Sequence, residues 1–422
     1  MAPSSPRPRP AASPGTRQPG LAGGSAAAPP GALRVSRRHF CRQSAWLAAG
    51  AAAGLRAATP PAPANRVHSL TIISREPQYY HGWPTLARCR EGQLLLVYSG
   101  GRQAHVCPFG RVELMRSHDQ GRTWTWPEVL LDSPIDDRDA GVLQTVKGTL
   151  LVTSFTSLAY TSVLAQAAAR QPGEPGAWPA ERLAAWRAAR ERLTPAQQTA
   201  ALGQWMIRST DGGVTWSGRY PSVVNSPHGP IQLADGRLLY AGKELWTGQH
   251  RTGVCVSKDD GRRWKWLAGI PVRPGDQAAQ YHELHAVETA ERRLLVHIRN
   301  ENPANSGETL QSESRDGGHT WSVPHPIGVW GLPSHLLRLR SGRLLMTYGH
   351  RRPPLGNQAR LSDDHGRSWS EPVILSGDGA SGDLGYPSTV ELPAGDLLTV
   401  WYEVRPGSPQ AVLRQARWTL EG

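Results

Sequence analysis

The sequence predicts an all-β protein: a six-bladed β-propeller with four-stranded antiparallel blades. Three observations support this fold: a turn motif that occurs five times, a turn followed by a β-rich run that occurs six times, and a spacing near 50 residues between most copies. A repeat of that length with four short strands is typical of a propeller blade. The composition agrees, because 45 Gly, 36 Pro and 16 Trp in 422 residues suit a chain with many tight turns.

The turn motif reads Ser-x-Asp-x-Gly-x-x-Trp and is called the box below. Its copies are SHDQGRTW (117–124), STDGGVTW (209–216), SKDDGRRW (257–264), SRDGGHTW (314–321) and SDDHGRSW (362–369). Asp accepts hydrogen bonds from backbone N–H groups of a turn, and Gly adopts a positive φ without steric cost. The Trp is large and apolar, so it can pack beneath the turn. The box therefore predicts a structural turn without a catalytic role.

The second recurring feature is a turn followed by a β-rich run. Its copies are EGQLLLVYSG (91–100), KGTLLVTSF (147–155), ADGRLLYAG (234–242), ERRLLVHIR (291–299), SGRLLMTYG (341–349) and AGDLLTVWYE (394–403). With a short apolar run before each copy, one unit reads strand, turn, strand, loop, strand, box, strand. The sixth unit lacks a box, and we expect the strand VHSLTIIS (67–74) to complete its blade and close the ring.

One interval between boxes is twice as long as the others. The box serines are spaced 92, 48, 57 and 48 residues apart. The first interval therefore predicts an insertion in the second blade, at about 157–203. Within it, AERLAAWRAARERL (180–193) has helical periodicity and strong helix formers. We expect one or two helices on the propeller surface and assign the whole propeller to residues 65–422.

The first 64 residues have the features of an export leader. Residues 1–33 are rich in Pro, Ala, Gly and Ser, which predicts disorder. The twin arginines of SRRHF (36–40), the apolar stretch 45–55 and the small-residue site 62–64 then predict a twin-arginine signal peptide. The apolar stretch is too short to span a bilayer, so no stable membrane insertion is expected. The predicted location is periplasmic or secreted.

Charge and cysteine content exclude several other functions. The formal net charge is +13, but residues 1–64 contain eight Arg and no acidic residue, which leaves 13 − 8 = +5 for the rest. No basic run with interleaved aromatic residues occurs there, so no nucleic-acid partner is predicted. Of the four cysteines, Cys41 lies in the leader, and the mature chain keeps Cys89, Cys107 and Cys255. Three is an odd number, so at least one thiol is free and one disulfide is possible. No Cys/His spacing resembles a zinc site, and no cofactor or metal is predicted.

The register of the boxes sorts the loops into two faces. The boxes share one face with the turns between the first two strands of each blade, so the blade starts and the ends of the second strands share the other. The candidate site residues on that other face are His81, Arg102, His105, Asp137, Arg138, His228, Glu283, Arg299, Arg351, Arg352 and Tyr386. Several arginines that converge on one funnel suit a carboxylate ligand, which a guanidinium binds through two parallel hydrogen bonds.

The boxes, the six-unit plan and these positions resemble the sialidase (neuraminidase) superfamily over nearly all of residues 67–422. The resemblance implies a retaining exo-glycosidase with a Tyr nucleophile, a Glu that activates it, an Asp acid/base and three Arg that hold the sugar carboxylate. GYPSTVEL (385–392) resembles the nucleophile segment and points to Tyr386. YHELHAVE with VHIRNEN points to Glu283 and Arg299, and YGHRRPP points to Arg351 or Arg352. The implied partner is a glycan with an acidic terminal sugar.

Two departures from the family pattern stand out. The first arginine of the family belongs to a segment that here reads HGWPTLAR (81–88), with Gly82 at the arginine position. Arg102 or Arg138 is then needed to complete the triad. The acid/base Asp is expected in the loop GGRQAHVCPFG (100–110), which contains no acid. His105 is one candidate for this role, because histidine side chains in general titrate near neutrality, and Asp137 or Asp139 of the next blade are the other candidates.

Three functions follow as hypotheses. The first is an exported sialidase-like hydrolase that acts on a terminal acidic sugar through Tyr386 and Glu283. The second is a different glycosidase or a polysaccharide lyase that uses His81, His105 and His228. The third is a non-catalytic carbohydrate-binding propeller. The fold alone does not decide among them.

Overall fold

The computed structural model describes residues 59–246, 249–408 and 410–421. Within these ranges the chain forms six separate four-stranded antiparallel sheets, each of which is one blade. The predicted six-bladed propeller is confirmed. Residues 1–33, for which the composition predicts disorder, and the twin arginines, Arg37 and Arg38, lie outside the described residues, so the export leader stays a prediction.

In the first five blades the four strands follow the chain order from the innermost to the outermost position. Blades 1 and 2 contain β2 (Tyr80–Arg88), β3 (Leu94–Arg102), β4 (Arg111–Ser117), β5 (Glu128–Leu131), β6 (Asp136–Gln144), β7 (Leu150–Ser157), β8 (Gln204–Ser209) and β9 (Tyr220–Pro221). Blades 3 and 4 contain β10 (Ile231–Gln232), β11 (Leu238–Lys243), β12 (Thr252–Ser257), β13 (Lys265–Gly269), β14 (Tyr281–Glu288), β15 (Leu294–Asn300), β16 (Thr309–Ser314) and β17 (His325–Pro326). Blade 5 contains β18 (Ser334–Arg338), β19 (Leu344–His350), β20 (Gly356–Ser362) and β21 (Val373–Ser376).

Blade 6 closes the ring with strands from both ends of the described chain. It contains β22 (Leu384–Glu391), β23 (Leu397–Val404), β24 (Ala411–Leu420) and β1 (Asn65–Ile72). The outermost strand, β1, pairs antiparallel with β24, in a register that runs from Asn65 opposite Leu420 to Ile72 opposite Arg414. The predicted closure is confirmed. Apolar side chains of blades 6 and 1 also interlock in one buried cluster, as Leu96 and Met115 do with Val390 and Val400.

The boxes form the turns between the third and fourth strands, as predicted. In the box at 314–321, the Ser314 hydroxyl donates to Asp316 at 2.8 Å and accepts from the Gly318 N–H at 2.9 Å. Asp316 also accepts the Thr320 N–H at 2.9 Å, and Gly318 has a φ of 96°. Trp321 is buried under the turn. These bonds satisfy the polar groups of the turn locally, which explains why the same motif can form the equivalent turn in five blades.

The insertion in blade 2 folds into three helices between β7 and β8, where one or two were predicted. They are α1 (Tyr160–Ala168), α2 (Ala180–Glu191) and α3 (Pro195–Ala201). The additional helix begins at a capping box in which Thr194 and Gln197 bond each other's backbone N–H groups. Trp186 of α2 is buried and donates to Gln103 at 2.8 Å. The insertion therefore packs against the 103–110 loop, which carries His105.

Two further predictions concern disulfide bonds and membrane-spanning helices in the described part of the chain. Cys89, Cys107 and Cys255 are all free thiols and all buried. Thus the disulfide that the sequence left open does not form among these three residues. None of the helices within the described ranges is long and apolar enough to cross a membrane.

Candidate active site

Four innermost strands share an unusual backbone feature near their starts. The pairing register of β2, β6, β14 and β22 is broken there by a bulge or irregularity. In each break lies a non-glycine residue with positive φ: Trp83 (55°), Asp139 (44°), Glu283 (39°) and Tyr386 (53°). This region costs an L-residue on the order of 1–3 kcal/mol and is concentrated at functional sites. Bulges also redirect side chains, and these four are brought together.

Tyr386, Glu283 and Arg299 are in direct contact. The Tyr386 hydroxyl donates a short hydrogen bond to Glu283 Oε1. Arg299, on β15 opposite His282, donates from Nη1 to Glu283 Oε2 at 2.8 Å and to the Tyr386 oxygen at 3.1 Å. The Arg299 Nε donates to Glu301 at 2.7 Å. Three residues that the sequence placed in one site therefore form a single hydrogen-bonded group.

The protonation states of this group follow from burial and charge. Burial, together with the nearby Glu283 carboxylate, raises the pKa of Tyr386 well above its ordinary value, so the phenol is neutral at physiological pH. Burial tends to raise the pKa of Glu283 too, but Arg299 and the Tyr386 hydroxyl outweigh it and hold that pKa below its ordinary value. The group therefore pairs a neutral phenol with an ionised carboxylate that accepts its proton in a hydrogen bond.

Asp139 is the fourth member of the site, beside Glu283. Burial, reinforced by the Glu283 charge, raises the pKa of Asp139 to about 7. Strongly shifted carboxyl groups are frequent at catalytic sites. The sequence left Asp137 and Asp139 open as acids, and the structure separates them. Asp137 is buried, and its carboxylate accepts the Ser133 N–H at 2.6 Å, outside the Tyr386 group.

The candidate arginines divide into two sets. Arg351 lies with its guanidinium carbon 6.0 Å from the Tyr386 ring centre, and its Nε donates to the Leu384 carbonyl at 3.0 Å. Arg138 stacks over Trp83 at 4.5 Å, and its nearest carboxylate is Asp136 at 4.0 Å. Within the described residues, each of these two guanidinium groups keeps N–H groups that are free to bind a ligand. Arg351 therefore lies next to Tyr386, and Arg138 is linked to the Tyr386 group through Trp83, whose ring centre is 6.3 Å from that of Tyr386.

Arg102 and Arg352 are not available in the same way. Arg102 is fully buried in a two-point ion pair with the equally buried Asp136, at 2.6 and 3.0 Å. It therefore has a structural role, and its guanidinium group also stacks on the Trp83 ring at 4.9 Å. Arg352 is exposed and lies over the Trp330 ring at 4.8 Å. Of the two arginines that the sequence offered as alternatives in blade 5, Arg351 is the one beside Tyr386.

Aromatic side chains occupy the place where the family's first arginine was expected. A Cβ on Gly82 would lie 3.0 Å from the Tyr80 ring, so the backbone here leaves little room for a side chain. Trp83 is buried next to it, with ring centres 5.9 Å from Tyr80 and 6.3 Å from Tyr386. The missing arginine is therefore replaced by a packed aromatic wall.

His105 lies at the rim of the site and is held by a second polar cluster. Its Nδ1 is 3.0 Å from Asp383 Oδ1 and 2.9 Å from the Tyr80 hydroxyl. Tyr80 and Tyr402 both donate to Asp383 at 3.0 Å. The His105 side chain is 46% exposed, and its ring meets Trp83 edge-on at 5.0 Å. The Asp383 bond leaves Nε2 as the nitrogen that can meet a ligand.

His81 and His228 lie apart from the Tyr386 group. His81 is fully buried, with Nδ1 2.9 Å from the Ser74 hydroxyl. His228 packs against His285 and His335 with ring centres 5.2 and 5.0 Å away. Burial and the neighbouring His335 lower the pKa of His228 well below its ordinary value, so the ring is neutral. The proposed histidine-based site thus reduces to His105.

Comparisons with known proteins agree with this architecture. A protein of unknown function from Dyadobacter fermentans is similar over 85% of this chain and 100% of its own, with 23% identity and a TM-score of 0.66. The Hadza microbial sialidase Hz136 is similar over 80% of this chain and 65% of its own, with 18% identity and a TM-score of 0.55. The leech intramolecular trans-sialidase is similar over 84% of this chain and 70% of its own, with 13% identity and a TM-score of 0.56. No curated protein sequence matches the chain.

The fold defines the class of protein: a six-bladed propeller of the sialidase type. The model of the BNR repeat-like domain matches residues 175–399, which is more than half of the chain. The protein therefore belongs to the BNR repeat-like domain family, and the predicted resemblance to sialidases is confirmed at the level of the fold. At identities below 25%, the solved structures establish the fold, and the activity has to be argued from the site.

Proposed function

We propose that this protein is an exo-glycoside hydrolase that releases a terminal acidic sugar with retention of configuration. The observation that supports it most strongly is the contact between Tyr386 and Glu283, with Arg299 bonded to both. A phenol is a weak nucleophile near neutral pH, because its ordinary pKa is about 10. A carboxylate within hydrogen-bonding reach can remove its proton during attack. Glu283 has that position and the required charge.

The neutral phenol suits an acidic substrate. A carboxylate nucleophile would repel a sugar that carries its own carboxylate, whereas Tyr386 is uncharged until it reacts. Arg299 within the group, Arg351 next to Tyr386 and Arg138 on the Trp83 ring carry guanidinium N–H donors, which match carboxylate geometry. Trp83 is buried and packs against both Arg138 and Tyr386, so it supports these two side chains from within the protein. An acidic monosaccharide unit at the end of a glycan fits this set of partners.

His105 is the best candidate for the proton donor to the leaving group. In an exo-glycosidase the leaving glycan projects towards solvent, so its donor must stand at the rim. His105 does so, whereas Asp139 is buried beside the base. Asp383 accepts from Nδ1, as the carboxylate of a catalytic triad does, and stabilises a positive charge on the ring. Burial raises the pKa of Asp383, but the bonds from His105, Tyr80 and Tyr402 prevail and keep it ionised.

The proposed reaction has two balanced steps. In the first, the Tyr386 oxygen bonds to the anomeric carbon while its proton passes to Glu283. The glycosidic bond breaks, and the leaving oxygen takes the proton from His105 Nε2. In the second step, water attacks the anomeric carbon and gives a proton to His105. The bond to Tyr386 breaks, Glu283 returns its proton to the phenol, and the free sugar leaves with retained configuration.

The test is turnover of fluorogenic glycosides by the mature protein and by Tyr386→Phe. The panel includes a sialoside, a uronide and neutral glycosides, and binding of acidic glycans is measured in parallel. Tyr220→Phe is the matched control, because this variant also loses a partly buried hydrogen bond of a tyrosine hydroxyl, to the Gly261 carbonyl at 2.7 Å, on the box face. We expect turnover of an acidic glycoside that Tyr386→Phe abolishes and that Tyr220→Phe retains.

Two other outcomes would contradict the proposal and point to the alternatives. If acidic glycans bind without turnover, the protein is a carbohydrate-binding propeller. If another sugar is cleaved, and cleavage depends on His105 and not on Tyr386, the chemistry is that of a different glycosidase or a lyase on this fold. Either result can be read directly from the same panel.

Export by the twin-arginine route is part of the proposal. It rests on the SRRHF sequence, the apolar stretch that follows and the small-residue site at 62–64. The measurement is the mass of the protein recovered from the periplasm or medium. Replacement of Arg37 and Arg38 by Lys is expected to retain the full-length chain inside the cell.

A further inference from the structure

Three side chains with metal-binding atoms meet where the chain passes from blade 6 to blade 1. Glu76 lies in the connection between β1 and β2, His81 lies on β2, and Glu113 lies on β4. One ligand atom of each lies within 4.8 Å of the other two. The segment is joined to blade 6 through Ser74, whose hydroxyl accepts the Leu413 N–H at 2.7 Å. The group thus sits at the closure of the ring.

Two of these atoms are buried without a partner. His81 Nε2 and Glu113 Oε2 have no hydrogen bond, and both residues are 0% exposed. The Tyr98 hydroxyl, on a ring that meets His81 edge-on, is buried as well, and burial together with the adjacent Glu113 carboxylate raises its pKa well above its ordinary value. Buried polar atoms are normally satisfied, because burial without a partner is costly. A shared ligand at this point would satisfy at least two of them.

The surroundings prepare the same atoms for an ion. His81 is fixed by its Nδ1 contact with Ser74 at 2.9 Å, which leaves Nε2 directed away. A metal-binding histidine is typically held in this way through its other nitrogen. Arg111 occupies only Glu113 Oε1, at 2.6 Å, so Oε2 stays free. The carboxylates of Glu76 and Glu113 both act on the Arg111 guanidinium, so one negative charge is left to attract a cation.

We propose that Glu76, His81 and Glu113 bind a divalent transition-metal ion of the Zn²⁺ or Mn²⁺ type, which fastens the ring closure. One imidazole with two carboxylates is a ligand set that such ions accept. Bonds of about 2.0–2.2 Å require the three side chains to move slightly inward, and the partly exposed Glu76 has the freedom to do so. The sequence did not predict this site, because its ligands are 5 and 32 residues apart and match no metal motif.

The experiment measures thermal unfolding of the untagged mature protein, first freed of metal with a chelator and then titrated with Zn²⁺, Mn²⁺ or Co²⁺ alone. Mn²⁺ is included because it binds weakly to the three cysteines that unfolding exposes. A ligand that binds only the folded state raises the melting temperature with its concentration. We expect a saturable rise with one ion bound per chain, and Co²⁺ absorption bands that follow the same curve.

Variants locate the ion. His81→Gln and Glu76→Gln are each expected to weaken the affinity by about 100-fold or more, since even outer contacts of metal sites change it by 10–100-fold. Glu76→Gln guards against misfolding, because its side chain is partly exposed. His68→Gln is the control, because His68 is an exposed histidine bonded to Thr419. The proposal is overturned if none of the ions raises the melting temperature, or if the rise persists in both variants.

Discussion

The two faces of this propeller differ in what is repeated from blade to blade: side chains on one face and a backbone conformation on the other. On one face the box occurs five times with the same side chains, and its bonds are internal: the Ser314 hydroxyl and the Gly318 N–H bond within one turn. On the other face a backbone irregularity with positive φ occurs four times, and its side chains are Trp83, Asp139, Glu283 and Tyr386. Repeated side chains indicate a structural element, and a repeated backbone with varied side chains indicates a site.

The electrostatics of aspartate follow the same division. Hydrogen bonds from the Thr320 hydroxyl and N–H hold the pKa of Asp316, in a box, below its ordinary value. Burial and the Glu283 charge raise the pKa of Asp139, in a bulge, to about 7. The box stabilises its own charge, whereas the bulge face concentrates charges that compete. Substitutions on the bulge face should therefore change activity first, and substitutions in the boxes should change stability alone.

The largest effect is expected for Glu283→Gln. The amide cannot accept the Tyr386 proton, and a positioned base contributes about 10²–10⁴-fold to rate. We predict a fall in kcat of that size on the acidic glycoside that the wild type cleaves best. Glu301→Gln is the matched control: Glu301 bonds the same arginine, Arg299, but does not touch Tyr386. Its effect should stay below about tenfold, and equal losses in the two variants would argue against Glu283 as the base.

The next effect tests His105 through the leaving group. A missing acid matters most when the leaving group is a poor one, because a good one departs without a proton. We predict that His105→Gln loses about 10²-fold or more on alkyl glycosides and far less on nitrophenyl glycosides. Asp383→Asn should lose less, with the same dependence. If Asp139→Asn shows this dependence and His105→Gln does not, the acid is Asp139.

The fold was far easier to predict from the sequence than the site. The box and the turn that precedes each β-rich run report local conformations, so their spacing defined the blades and the partner of β1. Tyr386, Glu283 and Arg299 were found because their segments resemble a known pattern. Asp137 and Asp139 could not be separated, because the bulge at Arg138–Gly141 breaks the simple alternation of a strand. Sequence reasoning does not see such breaks.

Other parts of the site depend on contacts between distant segments. Asp383 holds His105 from 278 positions away, and no local pattern announces it. Arg102 was predicted to bind the substrate, yet it forms a buried ion pair with Asp136 of the next blade. The sequence showed that the expected arginine is absent, because Gly82 stands at its position. It did not show that the Tyr80 and Trp83 rings occupy the space. Packing decides which charged groups are left for a substrate.

A third prediction concerns stability and pH. An Asp139 carboxyl titrates near 3.9 when unfolded and near 7 when folded, so the folded state holds its proton more tightly between these values. The stability that this neutral group contributes is present below pH 4 and is lost as pH rises to 7. Asp139→Asn should remove this loss of stability. The difference in unfolding free energy between the variant and the wild type should therefore shift by roughly 1–4 kcal/mol in favour of the variant from pH 4 to pH 8. Denaturant midpoints at the two pH values measure it, and parallel profiles for both proteins would contradict it.

The smallest effect is expected in a box, at Ser314→Ala. Ser314 is buried, and its loss leaves the Gly318 N–H without an acceptor. An unpaired buried donor costs about 1–3 kcal/mol, so the denaturant midpoint should fall while kcat and KM stay unchanged. Ser341→Ala, in an exposed turn of blade 5, is the control and should leave both properties unaltered. A loss of activity in Ser314→Ala at a temperature where the variant is folded would show that the two faces are coupled through the blades. The division between structural and functional repeats would then fail.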